Sequence, residues 1–335
     1  MEAIEAAQVL SEIGYLLRQD PKERFRAKAF SAAAWSLALQ RPDLAELHRA
    51  EKLTSIEGVG EGIARVLSDV IQTGASRYLN RLRELSKQPE RGDESDLDFD
   101  DYRGDIHSHT NWSDGRATML EMARGAQALG YSYLGITDHS PRITVVHGLN
   151  AERLVAQSRE MADVQSQVDG MTLLQGIEVD ILEDGSLDLP DAVLEILDVV
   201  IASPHVKLRQ EPAAMTERMM RAVSHPHVDV IGHPTGRRPG SREGASYDFE
   251  LVFREAAKRG VALEIDCDPA RMDLSPEMAR PALECGCDFV MSGDAHAPDE
   301  LAYVPMAAWM ARRAGIPMSR ILNFNLDRRF KVTSN

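Results

Sequence analysis

The apolar positions of this chain follow two different rhythms. Over residues 1–88 they recur every three or four positions, as in Ile4, Val9, Leu10, Ile13, Leu16 and Leu17, and this spacing predicts a helix over 4–18. Further helices are predicted around 22–39, 42–50, 61–73 and 75–86. The stretch SIEGVGEGIARVLSDVIQT puts Gly58, Gly60 and Gly62 at a tight turn before the apolar face resumes at Ile63, Val66, Leu67, Val70 and Ile71, so it reads as helix, glycine-rich hairpin and helix. Beyond residue 102 the pattern changes to short apolar runs alternating with helical stretches. Strands are predicted near 103–107, 133–138, 172–179, 197–203, 228–233, 260–266 and 287–293, with helices at 117–129, 151–168, 212–223, 247–259 and 275–285. About seven βα repeats predict an α/β domain with a parallel sheet, and the rhythm alone also fits an open, doubly wound sheet.

The residues on which these runs stop carry the chemistry. Between Tyr102 and His296 they end in DIHSH, ITDH, GIEVD, ASPH, IGHP, LEIDCD and MSGDAH. With Asp114 in the loop after the first, the stops supply His107, His109, Asp114, His139, Glu178, His205, His233, Asp294 and His296. A single histidine after a strand is ordinarily a hydrogen-bonded loop residue. Here His107-Ser-His109 and Asp294-Ala-His296 are alternate pairs that face one side of a strand and can grip one ion. Imidazole and carboxylate suit Zn2+, Mn2+ or Fe2+, and residues at the carboxyl ends of parallel strands converge on one mouth. Ligands on nearly every strand end therefore favour a closed or nearly closed barrel and two to three divalent ions.

Charge adds a boundary. The net charge is −15, but residues 1–90 are neutral and RGDESDLDFDD at 91–101 contributes −5. Residues 89–101 form the predicted acidic linker, between a helical domain at 1–88 and an α/β domain at 102–335. The acidic balance excludes broad nonspecific binding of nucleic acid by the whole surface and leaves room for a local contact. Such a contact could use the hairpin, because backbone N–H groups at a helix N-terminus hold phosphate oxygens where glycine lets them approach; an ordinary helix connection uses the same glycines to turn. Cys267, Cys285 and Cys287 are odd in number and lie in or beside apolar runs, which points to free thiols in a reducing compartment. The amino-terminal stretch has no basic region followed by a cleavage site, and no apolar run is long enough to span a bilayer, so the expected location is the cytoplasm, with no membrane partner.

The segments DIHSHTNWSDG, YLGITDHS, GIEVDI, SPH, GHPTGR and SGDAH resemble, in order, the motifs of the PHP (polymerase and histidinol phosphatase) phosphoesterase family, over essentially all of 102–335. The first 88 residues, including SIEGVGEGIA, resemble the amino-terminal DNA-binding domain of bacterial family X DNA polymerases, in which a PHP domain lies at the carboxyl end. The likeness is to such a polymerase without its polymerase core, since only a short acidic stretch separates the two parts. It implies a distorted (β/α)7 TIM-like barrel preceded by a small all-α helix-hairpin-helix domain. It also implies one metal held by His107, His109, Glu178 and Asp294, a second by a bridging Glu178 with His205 and His233, and a third by Asp114, His139 and His296.

The activity so implied is hydrolysis of phosphate esters by a metal-activated hydroxide. His139 is a candidate leaving-group acid, and Arg209, Arg237 and Arg271 are candidates for a phosphate clamp. With DNA held through Gly58, Gly60 and Gly62, the expected reaction is that of a 3′–5′ exonuclease or 3′-end phosphatase in repair. The alternatives are a small-molecule phosphatase of the histidinol-phosphate type and a non-catalytic, metal-stabilised interaction protein. Two positions depart from the resemblance: Glu264-Ile-Asp266 stands where Glu-Ile-Asn is usual, and Val66 stands where lyase-active relatives carry a nucleophilic Lys, which puts Schiff-base chemistry in doubt.

Overall fold

A computed structural model describes residues 1–86 and 102–324; residues 87–101, including the predicted acidic linker, and residues 325–335 lie outside the described residues. Five helices come first, α1 (Ala3–Arg18), α2 (Arg24–Gln40), α3 (Leu44–Arg49), α4 (Glu61–Thr73) and α5 (Arg77–Leu85). Seven strands follow, β1 (Gly104–Asp105), β2 (Tyr133–Ile136), β3 (Thr172–Asp180), β4 (Val199–Ser203), β5 (Val230–Ile231), β6 (Ala262–Asp266) and β7 (Phe289–Ser292). They pair in sequence order, every pair parallel. The connecting helices are α6 (Met119–Ala128), α7 (Ala151–Gln165), α8 (Asp191–Leu194), α9 (Pro212–Val223), α10 (Phe249–Arg259) and α11 (Pro276–Glu284), with α12 (Tyr303–Ala307) and α13 (Trp309–Ala314) after β7.

The sheet curls into a nearly closed barrel, as the strand-end ligands anticipate. Its interior is packed by Ile106, Tyr133, Leu174, Val199, Ile201, Val230, Ala262, Val290 and Leu322, all buried. No ladder joins β1 to β7. The seam is bridged beyond their ends, where Ser108 pairs with Ala295, and across the gap by the side chain of Asn323. The Asn323 amide donates to the carbonyls of Gly104 (3.0 Å) and Met291 (2.9 Å) and accepts from the Met291 N–H (2.7 Å), so it serves as a one-residue substitute for a missing strand.

The first and fifth strands are shorter than their apolar runs predict. Each ladder stops just before a candidate ligand because the backbone turns to aim it: the His107 N–H donates to the Asp105 carboxylate, and His233 has φ +24°. Helices α12 and α13 carry no amphipathic period and were not predicted. Their residues are buried on nearly every side, between the barrel and α1, so no polar stripe marks them.

The helical domain packs on this carboxyl-terminal segment and on the loops after β6 and β7. Glu12, 3% exposed, receives Arg83 and Arg313, each at 2.7 Å through Oε1. The Trp309 indole donates to Ser11, the Trp35 indole to the Asp299 carbonyl, and Tyr15 to Glu277. Arg18 donates to the carbonyl of Pro269. The helices are thus seated at the rim where the ligand-bearing loops emerge.

Replacing Asn323 by Ala removes the amide partner of the Met291 N–H and the Gly104 carbonyl, while the Met291 carbonyl keeps the Tyr102 hydroxyl, and should lower unfolding stability by about 2–4 kcal/mol. A urea midpoint unchanged from wild type would show that the seam does not depend on this amide.

Candidate metal centre

All nine candidate ligands meet at the carboxyl-terminal mouth of the barrel, around one carboxylate. Glu178 lies in β3, the longest strand, where the backbone bridges to His139 on one side and pairs with Ile201 of β4 on the other. Its side chain is fully buried. Oε1 lies 2.8 Å from His233 Nε2 and 3.1 Å from His205 Nε2; Oε2 lies 2.8 Å from His139 Nδ1, 3.5 Å from His107 Nε2 and 3.6 Å from His109 Nε2. Burial works against ionisation of Glu178, yet the charges of His205, His139 and His107 outweigh it and hold the carboxyl well below its ordinary range.

Three sets of donor atoms cluster closely enough to share an ion: His107, His109, Glu178 and Asp294; His139, Glu178 and His205; and His109, Asp114, His139 and His296. His233 faces the first Glu178 oxygen at 2.8 Å. The mouth is a cavity of about 350 Å³, with Asp114, His139, His205, Asp294 and His296 in its lining.

Outer groups aim the inner ones. His107 Nδ1 is 2.6 Å from Glu264 Oε1, which leaves Nε2 toward the centre. The second oxygen of Glu264 takes the His233 N–H, and Ser292 donates to the first. His205 Nδ1 faces Asp180 Oδ1 at 3.1 Å, and His296 Nδ1 faces the Asp294 carbonyl at 2.7 Å. Asp138 accepts from the N–H and hydroxyl of Thr110, the N–H and hydroxyl of Ser113, and the Gln157 amide, which pins the loop that carries Asp114. Such partners fix the ring orientation and tautomer of a metal-ligating histidine.

The residues fit a divalent metal for a further reason. Among the described residues, His107 Nε2, His109 Nδ1, His139 Nδ1, His205 Nε2, His233 Nδ1 and Glu178 Oε2 are buried without a hydrogen-bond partner. Several orphaned buried atoms at one point are costly in a native fold unless an ion satisfies them. Burial lowers His109 to about 3 and His233 to about 4, so both are neutral imidazoles, the form that binds metal.

The cationic candidates separate. Arg271 lines the mouth, its Nε 2.9 Å from Asp294 Oδ2 and 3.3 Å from Asp266 Oδ2. The Asp of the unusual Glu264-Ile-Asp266 segment therefore shares this guanidinium with a candidate ligand. Arg237 is turned away from the centre: its guanidinium stacks on Tyr15 of α1 at 5.6 Å, and its Nε donates to the Arg271 carbonyl at 3.3 Å. Arg209 is exposed and makes no ion pair among the described residues. His139 sits within the candidate ligand set, at 2.8 Å from Glu178, and the geometry singles out no leaving-group acid. Sequence reasoning missed Glu264, Asp138 and Asp180 as orienting groups. The signal was present, since each lies next to or two residues from a candidate ligand or in a marked strand end.

In the helical domain, Gly58 has φ +77° and lies against the backbone of α2, whereas Gly60 and Gly62, at the start of α4, have open space where a side chain would stand. Val66 is partly buried against the core, so this position offers no amine.

The PHP domain model matches residues 105–266, and a helix-hairpin-helix domain model matches residues 1–76. A probable phosphatase of Thermoanaerobacter sp. strain X514 is 30% identical over 237 residues, covering 67% of this chain and 91% of that protein. The chain belongs to the PHP family. PHP proteins of this kind are metal-dependent phosphoesterases, and this chain is an enzyme of that class. Similar too are a probable phosphatase of Caldanaerobacter subterraneus subsp. tengcongensis, at 29% over 67% of this chain and 88% of that one, and the DNA polymerase/3′-5′ exonuclease PolX of Bacillus subtilis strain 168, at 38% over 227 residues. The PolX match takes in 68% of this chain but 40% of that protein's length. Among the described residues no helix is long and apolar enough to cross a membrane.

Metal loading of the PHP centre should release protons. Without metal, burial opposes the charge on His205 and His296, but the carboxylates facing them, Glu178 and Asp180 for His205 and Asp114 and Asp294 for His296, hold both near about 9. Both carry a proton at pH 7 and must lose it to bind a metal. Calorimetric titration of stripped protein with Mn2+, in buffers of different ionisation enthalpy, should show about two to three protons released per chain, the third from His107, where burial is outweighed by Glu264, Glu178 and Asp294. No buffer dependence would remove these rings from the ligand set.

Proposed function

We propose that this PHP protein hydrolyses phosphate esters at the 3′ end of DNA, as a 3′–5′ exonuclease or 3′-end phosphatase. The observation that carries the reading is the seating of a helix-hairpin-helix domain on the same rim from which the metal-ligand loops emerge, through Arg18 to Pro269, Trp35 to Asp299 and Tyr15 to Glu277. The hairpin supports it further: Gly60 and Gly62 leave the N-terminus of the 13-residue α4 open, a place where backbone N–H groups donate to a phosphate and give position rather than sequence preference. The PolX of Bacillus subtilis, similar over 227 residues, bears the name of a DNA polymerase/3′-5′ exonuclease.

In this reading two to three divalent ions, Mn2+, Zn2+ or Fe2+, are held by the nine ligands. His107, His109, Glu178 and Asp294 would hold one, Glu178 with His205 and His233 a second, and Asp114, His139 and His296 a third. Bound ions supply a water of lowered pKa and neutralise phosphate charge. The chain's own part is to aim and to exclude. Glu264, Asp180 and Asp138 hold the ligand rings and the Asp114 loop in place, Arg271 brings fixed positive charge to the mouth, and the packed barrel floor beneath keeps water out.

A second reading, a small-molecule phosphatase, is favoured by one observation: the probable phosphatases of Thermoanaerobacter and Caldanaerobacter match over 91% and 88% of their lengths. Mn2+-dependent hydrolysis of a single-stranded oligonucleotide and of histidinol phosphate by one preparation separates the two. The oligonucleotide should turn over with a kcat/KM at least about tenfold higher. A preference for histidinol phosphate would overturn the DNA reading and leave the phosphoesterase class intact.

A further inference from the structure

After the ligand-bearing loop at His233 the chain makes a small hairpin, with Arg238 and Arg242 in an antiparallel bridge and Gly240, φ +77°, at its tip. Each backbone N–H of the bridge donates to the other residue's carbonyl at 2.8 Å. Residues bridged in this way project to the same face, where like charges repel and destabilise the pair. Arg238 is exposed and lines the metal mouth beside Arg271. Arg242 is half-buried, with its Nε on the Gly236 carbonyl. Burial, then the charges of Arg238 and Arg271, depress its pKa.

Among the described residues neither Arg238 nor Arg242 forms an ion pair, in a chain of net charge −15. The carboxylate that acts on Arg242, Asp273, already accepts the N–H and hydroxyl of Thr235. Glu243 is exposed next to Arg242, and Asp268 lies in the mouth lining. Two guanidinium groups, Arg238 and Arg242, thus stand at one edge of the mouth without a dedicated counter-charge, beside an Arg271 that is already paired with Asp294 and Asp266. This edge is also the one that meets the helical domain: Arg237, at the base of the hairpin, stacks on Tyr15, and Gly240 approaches the Arg18 carbonyl within 3.7 Å of where a side chain would begin.

From this arrangement we propose that the Arg238–Arg242 hairpin is a phosphodiester-binding subsite, holding a phosphate of the nucleotide chain that leads from the helical domain into the metal mouth. The proposal rests on the DNA reading and specifies it: the ligand is a polyanionic chain, and a lone phosphate ester does not reach this subsite. Gathering like charges is unfavourable in the free protein and becomes favourable when a phosphate bridges them, with release of counter-ions from the nucleic acid.

The test uses metal-loaded, full-length protein and a trithymidylate with phosphorothioate linkages, carrying a 5′ fluorescein. Binding is followed by anisotropy across a salt series, beside R238Q/R242Q, and each protein's Kd for thymidine monophosphate is measured in parallel. The double variant should bind the trinucleotide about tenfold more weakly, with a salt slope smaller by about 1, and bind the monophosphate as wild type does. An unchanged trinucleotide Kd and slope would overturn the subsite, as would an equal loss for both ligands, which would mean that the arginines only shape the mouth. Because the readout is binding, a wild type that binds the trinucleotide through these arginines but fails to hydrolyse DNA would sink the nuclease reading and leave the subsite standing. Metal content and melting temperature equal to wild type establish that the variant is folded.

Discussion

Everything at the mouth depends on one buried carboxylate. Glu178 stands within 3.6 Å of five histidine rings that arrive from four different strand ends, and it is fully buried. An anion there without counter-charge would be prohibitively costly, and five buried imidazoles without an anion would be nearly so. Each is tolerable because of the other, and a divalent ion held between them would replace the shared protons with a stronger charge. Barrel closure matters for the same reason. With seven strands and a seam bridged beyond the strand ends and by Asn323, the strand ends come close enough to serve one oxygen pair.

A second layer of acids makes the arrangement single-valued. Glu264 touches His107 and the backbone of His233 at once, so one side chain sets two candidate ligands. Asp138 receives five donors and ties the loop of Asp114 to the end of β2. Arg271 offsets the crowding of Asp294 and Asp266. The barrel mouth therefore carries more negative charge than its ligands alone require, and the arginine hairpin at 238–242 is the opposing field on the side that faces the helical domain.

Much of this was legible because the residues that matter interrupt a strong pattern. A histidine or acid ending an apolar run is visible without coordinates, and seven such endings in one βα series leave few architectures. Helix α4 was legible to the residue for a related reason: Gly60 and Gly74 bracket a clear amphipathic period. The missed features lack a local signal. Helices α12 and α13 are apolar all round, and Asn323 acts through contacts with residues more than thirty and two hundred positions away. Arg237 and Arg238 are adjacent, and only the turn of the backbone sends one to Tyr15 and the other to the mouth.

The seating of the helical domain gives the fold its direction. The same α1 that buries Glu12 against Arg313 reaches, through Arg18, the loop that carries Arg271. Substrate held by the helices would enter the mouth from that side. All of it presumes that Glu178 is the shared ligand of a polynuclear centre. The most direct measurement is the metal content of wild type and Glu178→Ala, by elemental analysis after dialysis in Mn2+, with circular dichroism to verify folding. Wild type should retain about two to three ions per chain and the folded variant one or none. An equal content in both would contradict the account.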